Sequence, residues 1–112
     1  MAVILNETCI DNLAADAGED LLGELITVFI DEMEHRQEQV REANVMGQYQ
    51  ELAHSIKGSA LTFGADALAE IAKEIEHRSK DQDQEVTAKL PELELCLKQT
   101  REQYQNYLNK LP

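Results

Sequence analysis

Apolar residues recur at helical spacing along almost the whole chain. Leu22, Leu25, Ile26, Phe29, Met33 and Val40 share one face of a helix predicted over 19–43. Glu19 and Asp20 open it, where acidic side chains suit the positive end of the helix dipole. A shorter helix is predicted over 7–17, with Asn6 or Thr8 as its cap and Gly18 as its stop. Asn44 to Gly47 reads as a turn, and a third helix over 48–63 ends at Gly64. Leu68, Ile71, Ala72 and Ile75 mark a fourth over 65–80, followed by a polar loop to Glu85. Val86, Leu90, Leu93, Leu97, Tyr104 and Leu108 give a last helix over 86–109 at near-heptad spacing. Pro91 interrupts it, so the helix either starts just before that proline or is kinked there. Four long amphipathic helices with short links imply an all-α protein. It would be an antiparallel up-down four-helix bundle with a short extra N-terminal helix, one domain over 1–112.

One histidine does not follow the pattern. With about 100° per residue and His54 at zero, Val45, Tyr49, Leu52, Ala53, Ile56, Ala60 and Phe63 fall in an arc roughly 210° away. That arc is the expected buried face, so the imidazole faces water. One turn on, Lys57 lies roughly 60° to one side and Gly58 roughly 40° to the other. A glycine inside a helix costs about 1 kcal/mol relative to alanine, and the apolar pattern runs straight through it. Close approach of a partner to the backbone accounts for such a glycine. Lys57 adds an exposed cation for an incoming anion. Gly47, Gln50, Glu51, Leu61 and Ala65 fall on the same face by the same angles and are the expected docking surface. Ser59, at the edge of the arc, is expected to bond a backbone carbonyl one turn back.

His54-x-x-Lys57-Gly58-Ser59, followed by Phe63-Gly64-Ala65, resembles the signature of histidine-containing phosphotransfer (HPt) domains of two-component phosphorelays. The small size, the acidic balance and Thr62-Phe63-Gly64-Ala65-Asp66 resemble most the LuxU type, the quorum-sensing carriers. The resemblance runs from about Ile10 to about Leu108. It implies that His54 accepts a phosphoryl group from an aspartyl phosphate on the receiver domain of a hybrid sensor kinase. The group then passes to the receiver aspartate of a response regulator. Lys57 would neutralise phosphoryl charge, Gly58 would give steric access, and Mg²⁺ would come with the receiver, the chain having no cofactor of its own. Several members of the family carry, on the following helix, a glutamine that bonds the histidine or its phosphoryl group. This chain has Glu76 and His77 there, and an ionised carboxylate repels phosphate, so that helper role is not assigned.

Composition narrows the partners. The chain has 112 residues and a net charge of −12, which disfavours nucleic acid and anionic membranes and is compatible with a basic protein face. Met1 to Leu5 is apolar but too short for a signal peptide, and no run reaches the length of a membrane span. Cys9 and Cys96 have no metal-ligand spacing and fit reduced thiols in a cytoplasm, with a single disulfide as the lesser alternative. A monomer is expected. A Gly-x-x-x-x-Gly-Lys loop is missing, so the chain is not expected to phosphorylate itself from ATP.

Two other readings compete. Glu-x-x-His occurs at Glu32–His35, Glu51–His54 and Glu74–His77, as in di-metal bundles. The angles turn all three histidines away from a bundle interior, so no metal site is assigned. The second rival is a helical adaptor that binds partners without chemistry.

Overall fold

The computed structural model describes residues 2–112; Met1, the start of the short apolar segment, lies outside them. Five α-helices follow in order: α1 Glu7–Ala17, α2 Glu19–Glu42, α3 Met46–Phe63, α4 Asp66–Lys80 and α5 Leu90–Asn109. Among the described residues there is no strand, and none of the helices is long and apolar enough to cross a membrane. Helices α2 to α5 form the bundle, each packing on its neighbour in the ring, with α5 closing against α2. Helix α1 packs on α2 and α3. The molecule measures 45 × 21 × 21 Å, the shape expected when long helices lie side by side.

The helical period places the core where the apolar pattern expects it. Ile26, Phe29 and Met33 of α2, Ala53, Ile56 and Ala60 of α3, Leu68 and Ala72 of α4, and Leu97 and Tyr104 of α5 are completely buried. Burying each large side chain stabilises the fold by about 1.5–3 kcal/mol. Phe29 stacks on Phe63 with ring centroids 4.6 Å apart and tilts against Tyr104 at 4.9 Å. This aromatic trio ties α2, the end of α3 and α5 together.

The ends differ from expectation more than the faces do. Helix α3 begins at Met46, so Gly47 is already helical. Gln48 secures this start: its Oε1 accepts from the backbone N–H of Asn44 at 2.9 Å and of Val45 at 3.3 Å. Val45 is the N-cap with an extended backbone and is 54 % exposed, so it leaves the buried arc. The α-helical part of the last segment begins at Leu90, not at Val86. Gln84–Lys89 forms a 3₁₀ turn that buries Val86, and Pro91 sits in the first turn of α5, where its missing N–H has no intrahelical role.

The turn between α3 and α4 is tied down from two sides. Gly64 adopts φ +80°, a left-handed cap that swings the chain out of α3. An N-terminal strap crosses this turn. The Asn6 N–H donates to Gly64 O at 2.8 Å, Ala67 N–H donates to Val3 O at 2.8 Å, and Asn6 Nδ2 donates to Asp66 Oδ2 at 2.9 Å. From the other side the Tyr104 hydroxyl donates to Phe63 O at 2.8 Å. Asn6 also caps α1, its side chain accepting from Cys9 N–H.

Candidate functional site

His54 stands in the middle of α3 with its side chain 70 % exposed. Its neighbours Ala53 and Ile56 are completely buried, so the helix is fixed against the core while the ring faces water. Gly58, one turn on, is exposed, and a Cβ built there meets nothing within 4 Å. The fold therefore has room for a side chain that the sequence leaves out.

One nitrogen of the ring is tethered. Glu76 on α4 places one carboxylate oxygen 2.7 Å from His54 Nδ1 and accepts from Lys57 Nζ at 2.6 Å with the other. The Lys80 ammonium lies 3.8 Å from the same carboxylate. Glu76 is itself buried, with 8 % of its side chain exposed. Its hydrogen bond from Lys57 holds its carboxyl below the usual carboxylate range, with a further contribution from His54, against the opposing effect of burial. An ionised Glu76 only accepts hydrogen bonds, so Nδ1 is the donor. The Nδ1–H tautomer leaves the Nε2 lone pair as the nucleophilic position of the neutral ring.

Two recesses flank this group. A groove of about 870 Å³ opens beside His54 between α2, α3 and α4, with Arg36, Gln50, Glu51, Glu76 and Lys80 in its walls. On the far side of Lys57 a second recess is lined by Leu61, Ala69 and Lys73. The surface therefore combines one imidazole, several cations and a bare stretch of helix, in a shape that admits a bulky partner.

The expected site residues fall into two groups. His54, Lys57, Gly58, Gln50 and Glu51 come together as the helical angles require, and Leu61 is 59 % exposed beside them. Gly47 is exposed on α3 but belongs to neither recess. Ala65 does not join them: it is completely buried. The left-handed Gly64 ends the helical register, so an angle extrapolated from α3 no longer applies one residue later. Lys57 is less free than expected, with 28 % of its side chain exposed because Glu76 holds it. Ser59 bonds across the helix interface and not back along its own helix: its hydroxyl lies 2.9 Å from both carboxylate oxygens of Glu32 on α2. The three histidines of the Glu-x-x-His repeats are all exposed.

Glu76 is the site residue to which sequence reasoning gives no role. Its signal lies in the pattern of α4, where it sits inside the buried stripe of Leu68, Ala69, Ala72, Ile75 and Ser79. A carboxylate in an apolar stripe needs partners, and His54 and Lys57 supply them.

A model of the Hpt domain matches residues 24–106. The phosphorelay protein LuxU of Vibrio harveyi is 33 % identical over 110 residues, covering 95 % of this chain and 96 % of the relative. The LuxU of Vibrio cholerae serotype O1 is 29 % identical over 109 residues, covering 94 % and 96 %. The crystal structure of histidine-containing phosphotransfer protein B from Pseudomonas aeruginosa PAO1 superposes with a TM-score of 0.87 and full coverage of both chains. At 22 % identity, that likeness concerns the fold.

Proposed function

The chain belongs to the Hpt domain family and is a phosphorelay carrier domain; on that premise we propose that His54 is the phosphoacceptor. Its Nε2 lone pair attacks the phosphorus of an aspartyl phosphate on a receiver domain. The bond from phosphorus to the carboxylate oxygen breaks, and the receiver aspartate leaves with the electron pair. The carrier later gives the group to the aspartate of a second receiver. We assign these roles to the receiver of a hybrid sensor kinase upstream and a response regulator downstream, with Mg²⁺ brought by each receiver. The observation that carries the reading is the exposed imidazole whose Nδ1 is held by Glu76.

Phosphoryl transfer depends on positioning and charge neutralisation more than on covalent chemistry by the protein. Lys57 is assigned to neutralisation, since its ammonium already lies against the same carboxylate as the imidazole. Gly58 is assigned to access, because its open side would otherwise carry a side chain into the path of the receiver. Gln50, Glu51 and Leu61 are assigned to docking, with Gly47 at the edge. The LuxU-like turn Thr62-Phe63-Gly64-Ala65-Asp66 is the ground for assigning the relay to quorum sensing.

Incubation with a phosphorylated receiver domain tests the proposal. The chain should acquire phosphate that is labile in acid and stable in base, and His54→Gln should acquire none while keeping its helical circular dichroism. Equal phosphate on the His54→Gln variant would move the site elsewhere. A chain that binds the receiver but takes up no phosphate would be an adaptor.

A further inference from the structure

The wall that α2 builds along the groove beside His54 carries a single cation, Arg36, together with Gln39 and Glu42. Residues 1–45 hold eleven carboxylates and two basic side chains, Arg36 and Arg41. Arg41 turns away to α5, its Nε 2.7 Å from Glu94. Arg36 is therefore the positive charge that this acidic half of the chain presents beside the imidazole.

The four arginines differ in what they join. Arg41 links α2 to α5, Arg101 links α5 to Gln37 of α2, and Arg78 ties α4 to Asp83 in the turn that follows. Arg36 makes its hydrogen bonds within its own helix, from Nε to Glu32 at 3.4 Å and from Nη1 to Gln39 at 3.1 Å. Among the described residues its Nη2 has no partner. The Glu32 contact is long, and both oxygens of that carboxylate also accept from the Ser59 hydroxyl. Glu32 thus orients the guanidinium without saturating it. Arg36 joins no second element, yet its side chain is only 25 % exposed and is gripped from the turns on either side. A fork held this way loses little rotamer freedom when a partner binds it.

What approaches this face is anionic. On the phosphoacceptor reading, on which this inference rests, a receiver brings an aspartyl phosphate to His54, while the chain itself carries a charge of −12. Lys57 and Lys80 meet that charge from α3 and α4, where Glu76 holds both. Arg36 stands outside that group, across the groove on α2. It therefore acts on docking and not on the reacting phosphorus. We propose that Arg36 is a specificity-determining residue, which takes a carboxylate on the rim of the receiver. A planar guanidinium with a free edge matches a carboxylate in two parallel hydrogen bonds. Receivers with an acidic side chain opposite α2 are selected, and those with a basic one there are repelled.

The experiment uses the full chain and the receiver domain that phosphorylates it fastest in a panel. Transfer rate is measured against receiver concentration for wild type, Arg36→Gln, Arg36→Glu and Arg36→Lys, each checked by circular dichroism. Arg36→Gln should raise the half-saturating concentration about tenfold, the order of effect of truncating an anchored interface arginine, and leave the maximal rate within about twofold. Arg36→Glu should raise it further and Arg36→Lys should restore part. The difference from wild type should shrink between about 0.05 and about 0.5 M salt, since salt screens such pairs. One acidic-to-lysine change on the receiver rim should rescue Arg36→Glu, which a purely structural role would not allow. Equal half-saturation for wild type and Arg36→Glu would overturn the proposal. So would a lower maximal rate at unchanged half-saturation, which would put Arg36 at the phosphorus. Titration of the unphosphorylated receiver into the chain reads docking without transfer. A loss of affinity there for Arg36→Gln would support the contact even if His54 took no phosphate, an outcome that would overturn only the phosphoacceptor role.

Discussion

Gly58 within α3 and Gly64 at its C-cap, six residues apart, are in opposite situations. At Gly64 the backbone is left-handed, and an added Cβ would sit 2.8 Å from the Cys9 Cβ and 2.9 Å from the Asn6 carbonyl oxygen. At Gly58 the backbone is ordinary helix and an added Cβ would meet nothing within 4 Å. The turn needs its glycine in order to fold. The exposed patch does not, and on helix propensity alone it would be better without one. A residue that costs stability, and whose absence the fold would tolerate, is the sign of a surface shaped for another molecule.

The difference is broken or confirmed most directly at the turn. Gly64→Ala should lose on the order of 3 kcal/mol. An L residue in the left-handed region is strained, and the strap of Val3 to Asn6 must also move. Urea unfolding measures this, with the loss expected in the midpoint. A variant as stable as wild type would show that the strap yields freely and that the turn is not tightly built.

Gly58 should behave in the opposite way. Gly58→Val should unfold at the same denaturant concentration as wild type or slightly higher, since valine is the better helix former. Phosphotransfer from a receiver should nevertheless slow by about tenfold or more, because a misplacement of about 1 Å at a reacting centre has effects of that size. Quenched transfer assays at matched folded concentration read this. Normal rates with a branched side chain in place would take away the reason given for the glycine.

The same two regions show what can be read from residues alone. Inside α3 the helical angles place His54, Lys57, Gly58 and Leu61 correctly, because a period of 3.6 holds as long as the hydrogen-bonded ladder does. They fail at Val45 and Ala65, the residues just beyond each end, because the cap backbones are not helical. Contacts between helices are less legible still. Ser59 meets Glu32, and Glu76 meets both His54 and Lys57, at points set by how far one helix is shifted along the next. No spacing within one helix encodes that shift. Taken alone, the Glu76 carboxylate repels phosphate and has no place at the site. Its place there comes from the ammonium groups that surround it, and those arrive from a different helix and from the next turn of its own.

The open patch also contributes to stability, but only while Glu76 is ionised. The folded state holds this carboxyl below its ordinary range, first through the Lys57 hydrogen bond and then through His54. A group depressed in the folded state contributes its full stabilisation above its unfolded value, about 4.3 for a glutamate, and loses it as the pH falls through the folded value. Wild type should therefore exceed Glu76→Gln at about pH 5 and above, and the margin should shrink below about pH 4.5. The sign follows from proton counts: in that window the unfolded chain binds more protons at this residue than the folded one, so lowering the pH favours unfolding. Urea titrations of both proteins from pH 7 to pH 3 measure the margin. A gap that stays constant to pH 3 would mean that the ion pair adds nothing to the fold and that Glu76 is kept solely for the imidazole.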